Sequence, residues 1–221
     1  MVSNIGWNID ALVYDLFSGK VDKQLYIEVL SALGTLEGLA VDEFGCGTGN
    51  LTRRLPETAR VRAIDYSPIA IAKAKQKTNG HVSFFLMDFY QERPSGYQPD
   101  KIVACRSLYH QDLSLSLGIL SEHLGDGGEV VIAHPIENWR EYVMPRLNGE
   151  RNFDFFQFVK SFGRLTRHIN VPYSLFSAAE FERIGKKHFD SVMVNLAGYD
   201  THYLIQLRKV ALSKKKHSNM K

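Results

Sequence analysis

Val41-Asp42-Glu43-Phe44-Gly45-Cys46-Gly47-Thr48-Gly49-Asn50-Leu51-Thr52-Arg53-Arg54-Leu55 reads as a short apolar run closed by acids, then three glycines at alternate positions, then a helix start. Glycine admits positive φ and lets a ligand approach the peptide groups, and the free N–H groups of a following helix start favour an anionic group. The ligands that suit such a turn are nucleotide-like cofactors. The dinucleotide fingerprint requires G-x-G-x-x-G, whereas Asn50 follows Gly49, so the spacing here is G-x-G-x-G. A nicotinamide oxidoreductase is thereby disfavoured.

With 221 residues, 44% of them hydrophobic, the chain is long enough for a full core and fits a single domain. We assign that domain to residues 1–213, with a basic tail over 214–221. Lys214, Lys215, Lys216 and Lys221 account for four positive charges against a formal net of +3, leaving the rest of the chain one charge negative. A nucleic-acid binder is expected to carry a basic stripe on its folded surface, so no nucleic-acid partner is expected. Cys46 and Cys105 show neither metal-ligand nor redox-motif spacing, which fits a reducing compartment and no metal. The first residues lack a basic leader and no apolar run approaches the roughly 18 residues that span a bilayer, so the expectation is a cytoplasmic protein without a membrane partner.

Outward from the glycine turn, the pattern alternates strands with helices. Strands are expected over 39–44, 60–64, 82–86, 100–105 and 129–133, a helix over 50–55 stopped near Pro56, and another opened by the Ser67-Pro68 cap and closed by Asn79-Gly80. A further helix over 113–124 stops at Gly125-Asp126-Gly127-Gly128. Ser177-Ala178-Ala179-Glu180 is a capping box, and 191–196 and 202–207 read as a hairpin across Gly198. Ahead of the first strand, apolar residues at helical spacing over 9–33 predict two helices broken at Ser18-Gly19. Between His134 and Phe176 lies a long segment rich in aromatics and arginines. Phe155, Phe158 and Phe162 share a helical face there, as simple packing or as an acceptor pocket in which arginine suits a carboxylate or phosphate.

Glu43-Phe44-Gly45-Cys46-Gly47-Thr48-Gly49 resembles the first motif of the class I S-adenosylmethionine-dependent methyltransferases, matching its acid, spacer and G-x-G-x-G at every position. The resemblance implies an α/β fold: a doubly wound, Rossmann-like, seven-stranded sheet, mostly parallel with an antiparallel last strand. It also implies a helical lid over residues 1–38 and an insertion over 134–176 at the acceptor site. Asp65, about twenty residues past the first glycine, stands where such folds place a carboxylate for the ribose hydroxyls. Asp88 matches the family acid that accepts from the adenine amine, with Phe89 along the ring; the bare alternatives are a turn aspartate and a core aromatic. The implied S-adenosylmethionine site comprises Glu43, Gly45, Cys46, Gly47, Gly49, Asp65, Tyr66, Asp88, Phe89 and Arg106, with Glu43 helping to hold the amino group of the methionine moiety.

Val13-Tyr14-Asp15-Leu16-Phe17 resembles the start of small-molecule N-methyltransferases, including amino-sugar ones, in which a tyrosine sits near the reacting methyl; otherwise Tyr14 packs on the sheet. His110 follows the fourth strand at the edge where open α/β sheets bind ligands, as a base, an orienting group or a structural histidine. The Asp/Asn-Pro-Pro-aromatic and Pro-Cys motifs of DNA methyltransferases are missing from this loop. The function implied is methyl transfer to a small-molecule acceptor, at O or N, by a monomer or homodimer. The alternatives are an RNA or protein methyltransferase, or a protein that binds the cofactor without methylating.

Overall fold

A computed structural model describes residues 8, 11, 15, 20–108, 111–136, 174–198 and 201–211. In chain order these form α1 (Lys20–Leu33), β1 (Ala40–Phe44), a 3-10 turn (Thr52–Arg54), β2 (Arg60–Asp65), α2 (Pro68–Lys77), β3 (Val82–Leu86) and β4 (Lys101–Cys105). They continue with α3 (Leu113–His123), β5 (Glu129–Pro135), α4 (Ala178–Gly185), β6 (Ser191–Ala197) and β7 (His202–Arg208). The seven strands make one sheet in the order β3-β2-β1-β4-β5-β7-β6. Strands β1 to β5 pair in parallel, and β7 enters antiparallel between β5 and β6, as the hairpin pattern predicts.

A parallel sheet covered on both sides needs apolar residues at successive positions, and β4 and β5 supply them. Ile102, Ala104, Val130 and Ile132 join Leu117, Leu120 and Phe181 in one core cluster. Val103, Val131 and Ala133 face the other way, against Leu25, Val29 and Leu33 of α1. The chain reverses order at β1, whose neighbours are β2 and β4. Ligands of open α/β sheets bind outside the carboxyl ends of the strands at such a reversal, which is where the glycine turn emerges.

Two local expectations are corrected. The helix expected over 50–55 is only a 3-10 turn, closed by bonds from Arg54 N to Leu51 O and Leu55 N to Thr52 O. Between a glycine in left-handed geometry and Pro56 there is too little chain to propagate an α-helix. The end of α2 does not use Asn79-Gly80 in a left-handed cap. Thr78 turns extended instead (φ −113°, ψ 153°) and its hydroxyl donates to Ala74 O at 3.1 Å. The Ser67 cap on Ala70 N and the Ser177–Glu180 capping box form as expected.

Candidate active site

The three glycines of the turn all have positive φ, but what lies around them differs. Gly45 has φ 71°, and a Cβ there would lie 2.3 Å from the Cβ of Ser107, which follows β4 and donates its hydroxyl to Phe44 O at 2.7 Å. Gly49 has φ 78°, and its Cβ would meet Ala74 of α2 at 2.8 Å. Gly47 has φ 54° with nothing among the described residues within 4 Å of its would-be Cβ. Close packing of protein on protein thus explains Gly45 and Gly49, and only Gly47 presents bare backbone to open space.

Asp65, the last residue of β2, reaches into this turn. Its Oδ2 accepts from Gly47 N at 2.8 Å and its Oδ1 from Ser67 N at 2.9 Å. The carboxylate therefore locks the turn to the start of α2. Tyr66 follows it, half-buried.

Glu43 is 2% exposed, and its Oε2 has no hydrogen-bond partner among the described residues. Burial pushes its carboxyl up to about 8; the nearby Thr52 hydroxyl pulls it back and the Asp65 charge adds to the rise. A buried acid held close to neutrality beneath a glycine turn suits a cationic partner, since an ammonium would restore its charge and satisfy the orphaned oxygen. The ammonium group of an amino acid fits that description. Together with the open face at Gly47 and the carboxylate of Asp65, it makes the turn compatible with a nucleoside that carries an amino-acid tail.

Cys46 is 6% exposed and packs with Ala63 and Ile71. Its thiol is raised well above the ordinary value, first by burial and then by the Asp65 and Glu43 carboxylates, so it stays protonated and unreactive. Asp88 organises its own loop: Oδ1 accepts from Tyr90 N at 3.0 Å and Oδ2 from Gln91 Nε2 at 2.8 Å. Phe89 is 8% exposed and stacks on Phe44 with ring centroids 4.9 Å apart, so the structure places it in the core beside the turn. Arg106 follows β4 in left-handed geometry (φ 58°), and its Nη2 donates to the Tyr26 hydroxyl of α1 at 3.2 Å. A non-glycine residue held at positive φ stores backbone strain of the kind that collects at functional sites. Tyr14, His110 and residues 137–173 of the insertion lie outside the described residues.

Several residues at this edge escape sequence reasoning. Tyr26 carries Arg54 over its ring at 5.0 Å and Arg106 at 5.9 Å, but in the sequence it is one more apolar-face residue of α1. Asp15 bonds Thr48, Asn50 and Lys77, which lie 33, 35 and 62 positions away in the chain. His134, at the end of β5, is 1% exposed; burial lowers it to about 4, and its Nε2 accepts from Phe176 N at 3.2 Å where the chain returns from the insertion. An open groove of about 620 Å³, lined in part by Glu28, Lys101, Glu129, Gln206 and Arg208, lies elsewhere. Lys101 and Glu129 begin β4 and β5, so it opens at the amino edge, away from the turn.

The sheet order and the reversed hairpin define the class I methyltransferase fold. Residues 43–130, from the acid of the turn to the start of β5, match the family model of a methyltransferase domain. An uncharacterised methyltransferase of Geobacillus kaustophilus (strain HTA426) is 32% identical over 124 residues, 54% of this chain and 54% of that protein. Phosphoethanolamine N-methyltransferase 3 of Arabidopsis thaliana is 33% identical over 79 residues, 35% of this chain and 16% of that protein. The chain thus spans about half the length of the first relative and much less of the second. In fold, it is similar to magnesium protoporphyrin IX methyltransferase from Synechocystis PCC 6803, a structure with bound S-adenosylhomocysteine. The TM-score is 0.64 at 17% identity, covering 91% of this chain and 93% of that one. In sequence over residues 43–130 and in fold over most of its length, the chain is similar to S-adenosylmethionine-dependent methyltransferases. No helix among the described residues is long and apolar enough to cross a membrane.

Proposed function

We propose that this chain transfers a methyl group from S-adenosylmethionine to a small-molecule acceptor. The observation that carries the reading is the buried, unpartnered Glu43 oxygen beneath the glycine turn, with Asp65 bound to the N–H of Gly47, the glycine that is open to a ligand. When bound, the cofactor supplies a methyl on a sulfonium, a carbon already activated for in-line displacement. In this reading Glu43 takes the ammonium of the methionine tail and Gly47 gives it backbone access. Asp65 accepts from the ribose and Asp88 from the adenine, while Gly45, Cys46, Gly49, Tyr66, Phe89 and Arg106 shape the walls.

The work left to the protein is chiefly positioning, which supplies up to about 7 to 11 kcal/mol in well-oriented reactions. Tyr14 and His110 are our candidates at the acceptor, with His110 taking a proton or orienting the nucleophile. The substrate that names a similar protein, phosphoethanolamine, supports a small-molecule acceptor. Oxygen and nitrogen are the acceptor atoms we favour.

Calorimetry with S-adenosylhomocysteine tests the cofactor site. Wild-type chain binds, and Asp65→Ala weakens binding by about tenfold or more, the loss of a charge-assisted hydrogen bond pair. Unchanged affinity in Asp65→Ala removes Asp65 from the site. Labelled methyl appearing in a metabolite fraction supports the acceptor class; labelling confined to RNA or protein overturns it.

A further inference from the structure

The glycine turn is gripped from behind as well as from the cofactor side. Asp15 Oδ1 accepts from Thr48 Oγ1 at 2.7 Å, Asn50 Nδ2 at 2.9 Å and Lys77 Nζ at 2.6 Å. Lys77 Nζ also reaches Thr48 Oγ1 at 3.1 Å and Asn50 Oδ1 at 3.3 Å. The three donors of the ammonium therefore meet three acceptors, one from the N-terminal segment and two from the turn. Burial alone would raise the Asp15 carboxyl, but the bonds from Lys77, Thr48 and Asn50 outweigh it and hold it below its ordinary value. Thr48 and Asn50, the residues on either side of Gly49, are buried, so they are committed to this cluster.

The same N-terminal segment is tied at a second point. Asn8 Oδ1 accepts from the hydroxyl of Ser67, the residue that caps α2 and whose N–H binds Asp65. Asn8 and Ala11 are helical and Ala11 is 5% exposed. Asn8 and Asp15 thus reach the two ends of α2, its capped start at Ser67 and its last residue, Lys77.

We infer that Asp15 and Lys77 are positioning residues for the cofactor: their ion pair, closed through Thr48 and Asn50, clamps the glycine turn between the N-terminal segment and α2 and holds Gly47 open to the ligand. This rests on the reading of the turn as an S-adenosylmethionine site. The clamp acts where the turn already lies against α2, since a Cβ on Gly49 would meet Ala74 at 2.8 Å. Without the clamp the turn adopts other shapes, and the ligand must select the competent one, which lowers its apparent affinity.

The test uses the full chain and S-adenosylhomocysteine, read by calorimetry with a thermal melt on each variant. The side chains of Lys77 and Asp15 are 21% and 31% exposed, so single substitutions leave the core intact. Asp15→Asn and Lys77→Met each weaken binding by about tenfold, while Lys77→Arg, which keeps the charge, binds within about threefold of wild type. The reversed pair, Asp15→Lys with Lys77→Asp, recovers most of the loss because the Thr48 hydroxyl and Asn50 amide both donate and accept. Wild-type binding with unaffected single variants overturns this inference alone, as does a reversed pair that melts like wild type yet binds no better than the single variants. A wild-type chain that binds no S-adenosylhomocysteine overturns the functional reading and this inference with it.

Discussion

Asp42 and Glu43 are neighbours on β1, point to opposite faces of the sheet and are both buried, at 0% and 2% exposure. Asp42 faces α3 and is saturated. Arg62 of β2 grips it bidentately at 2.7 and 2.8 Å, and His123 of α3 approaches its Oδ2 at 2.6 Å. Arg62 in turn donates to Ser95 O and Tyr97 O and lies 4.0 Å from the centre of the Tyr97 ring, which ties the loop before β4 to the sheet. Glu43 faces α1 with one oxygen unpartnered among the described residues and its carboxyl pushed up to about 8. Burying a charge is tolerated when every lone pair is answered, and otherwise the group is neutralised. The contrast separates a carboxylate that holds the fold from one left, among the described residues, with an orphaned oxygen.

The largest test breaks the saturated side. Arg62→Met leaves Asp42 buried and short of two donors, and stability falls by about 3 to 5 kcal/mol in urea unfolding. An equal loss from Glu43→Gln would erase the distinction between the two acids.

Glu43→Gln is expected to do the opposite. A carboxyl at about 8 in the folded chain and 4.5 in the ordinary state binds more protons folded than unfolded through that window. Its contribution is intact below pH 4.5, declines as pH rises, and is lost above about 8. The glutamine variant lacks this decline, so near pH 7.5 it is the more stable protein by something on the order of 4 kcal/mol. Cofactor binding runs the other way. An ammonium favours the ionised acid, so wild-type affinity for S-adenosylhomocysteine rises from pH 5 to 8 with proton uptake by the buffer, and the glutamine variant shows neither effect.

The smallest test concerns the open glycine beside them. Gly47→Ala meets no neighbour and costs only the left-handed backbone, about 1 kcal/mol of stability, while cofactor affinity falls further because the methyl occupies the approach. Melting temperature and calorimetry on one preparation separate the two losses.

Much of the fold was legible because β1, β2, β4 and β5 are mostly buried on both faces and read as short, largely apolar runs, whereas β3, at the sheet edge, is only partly buried. The turn after β1 was legible too, since positive φ at alternate positions leaves glycine as nearly the only choice. Local signals failed where the ends of elements depend on their neighbours. The stretch after Gly49 became a 3-10 turn, and α2 ended at Thr78 without using Asn79-Gly80.

What the sequence by itself determined is the alternation of strands and helices, the glycine turn and the two acids, Glu43 and Asp65, that bracket it, because each depends on residues close together in the chain. Only the tertiary structure decided that Gly45 is required by Ser107, that Gly49 is required by Ala74, and that Asp15, Thr48, Asn50 and Lys77 converge. It also decided which of two adjacent acids is satisfied. The motif marks Glu43 and passes over Asp42, but it is the pleat that sends Asp42 to Arg62 and His123 and Glu43 beneath the turn. Burial and partnership are properties of what lies opposite a side chain, and that is set by residues distant in sequence.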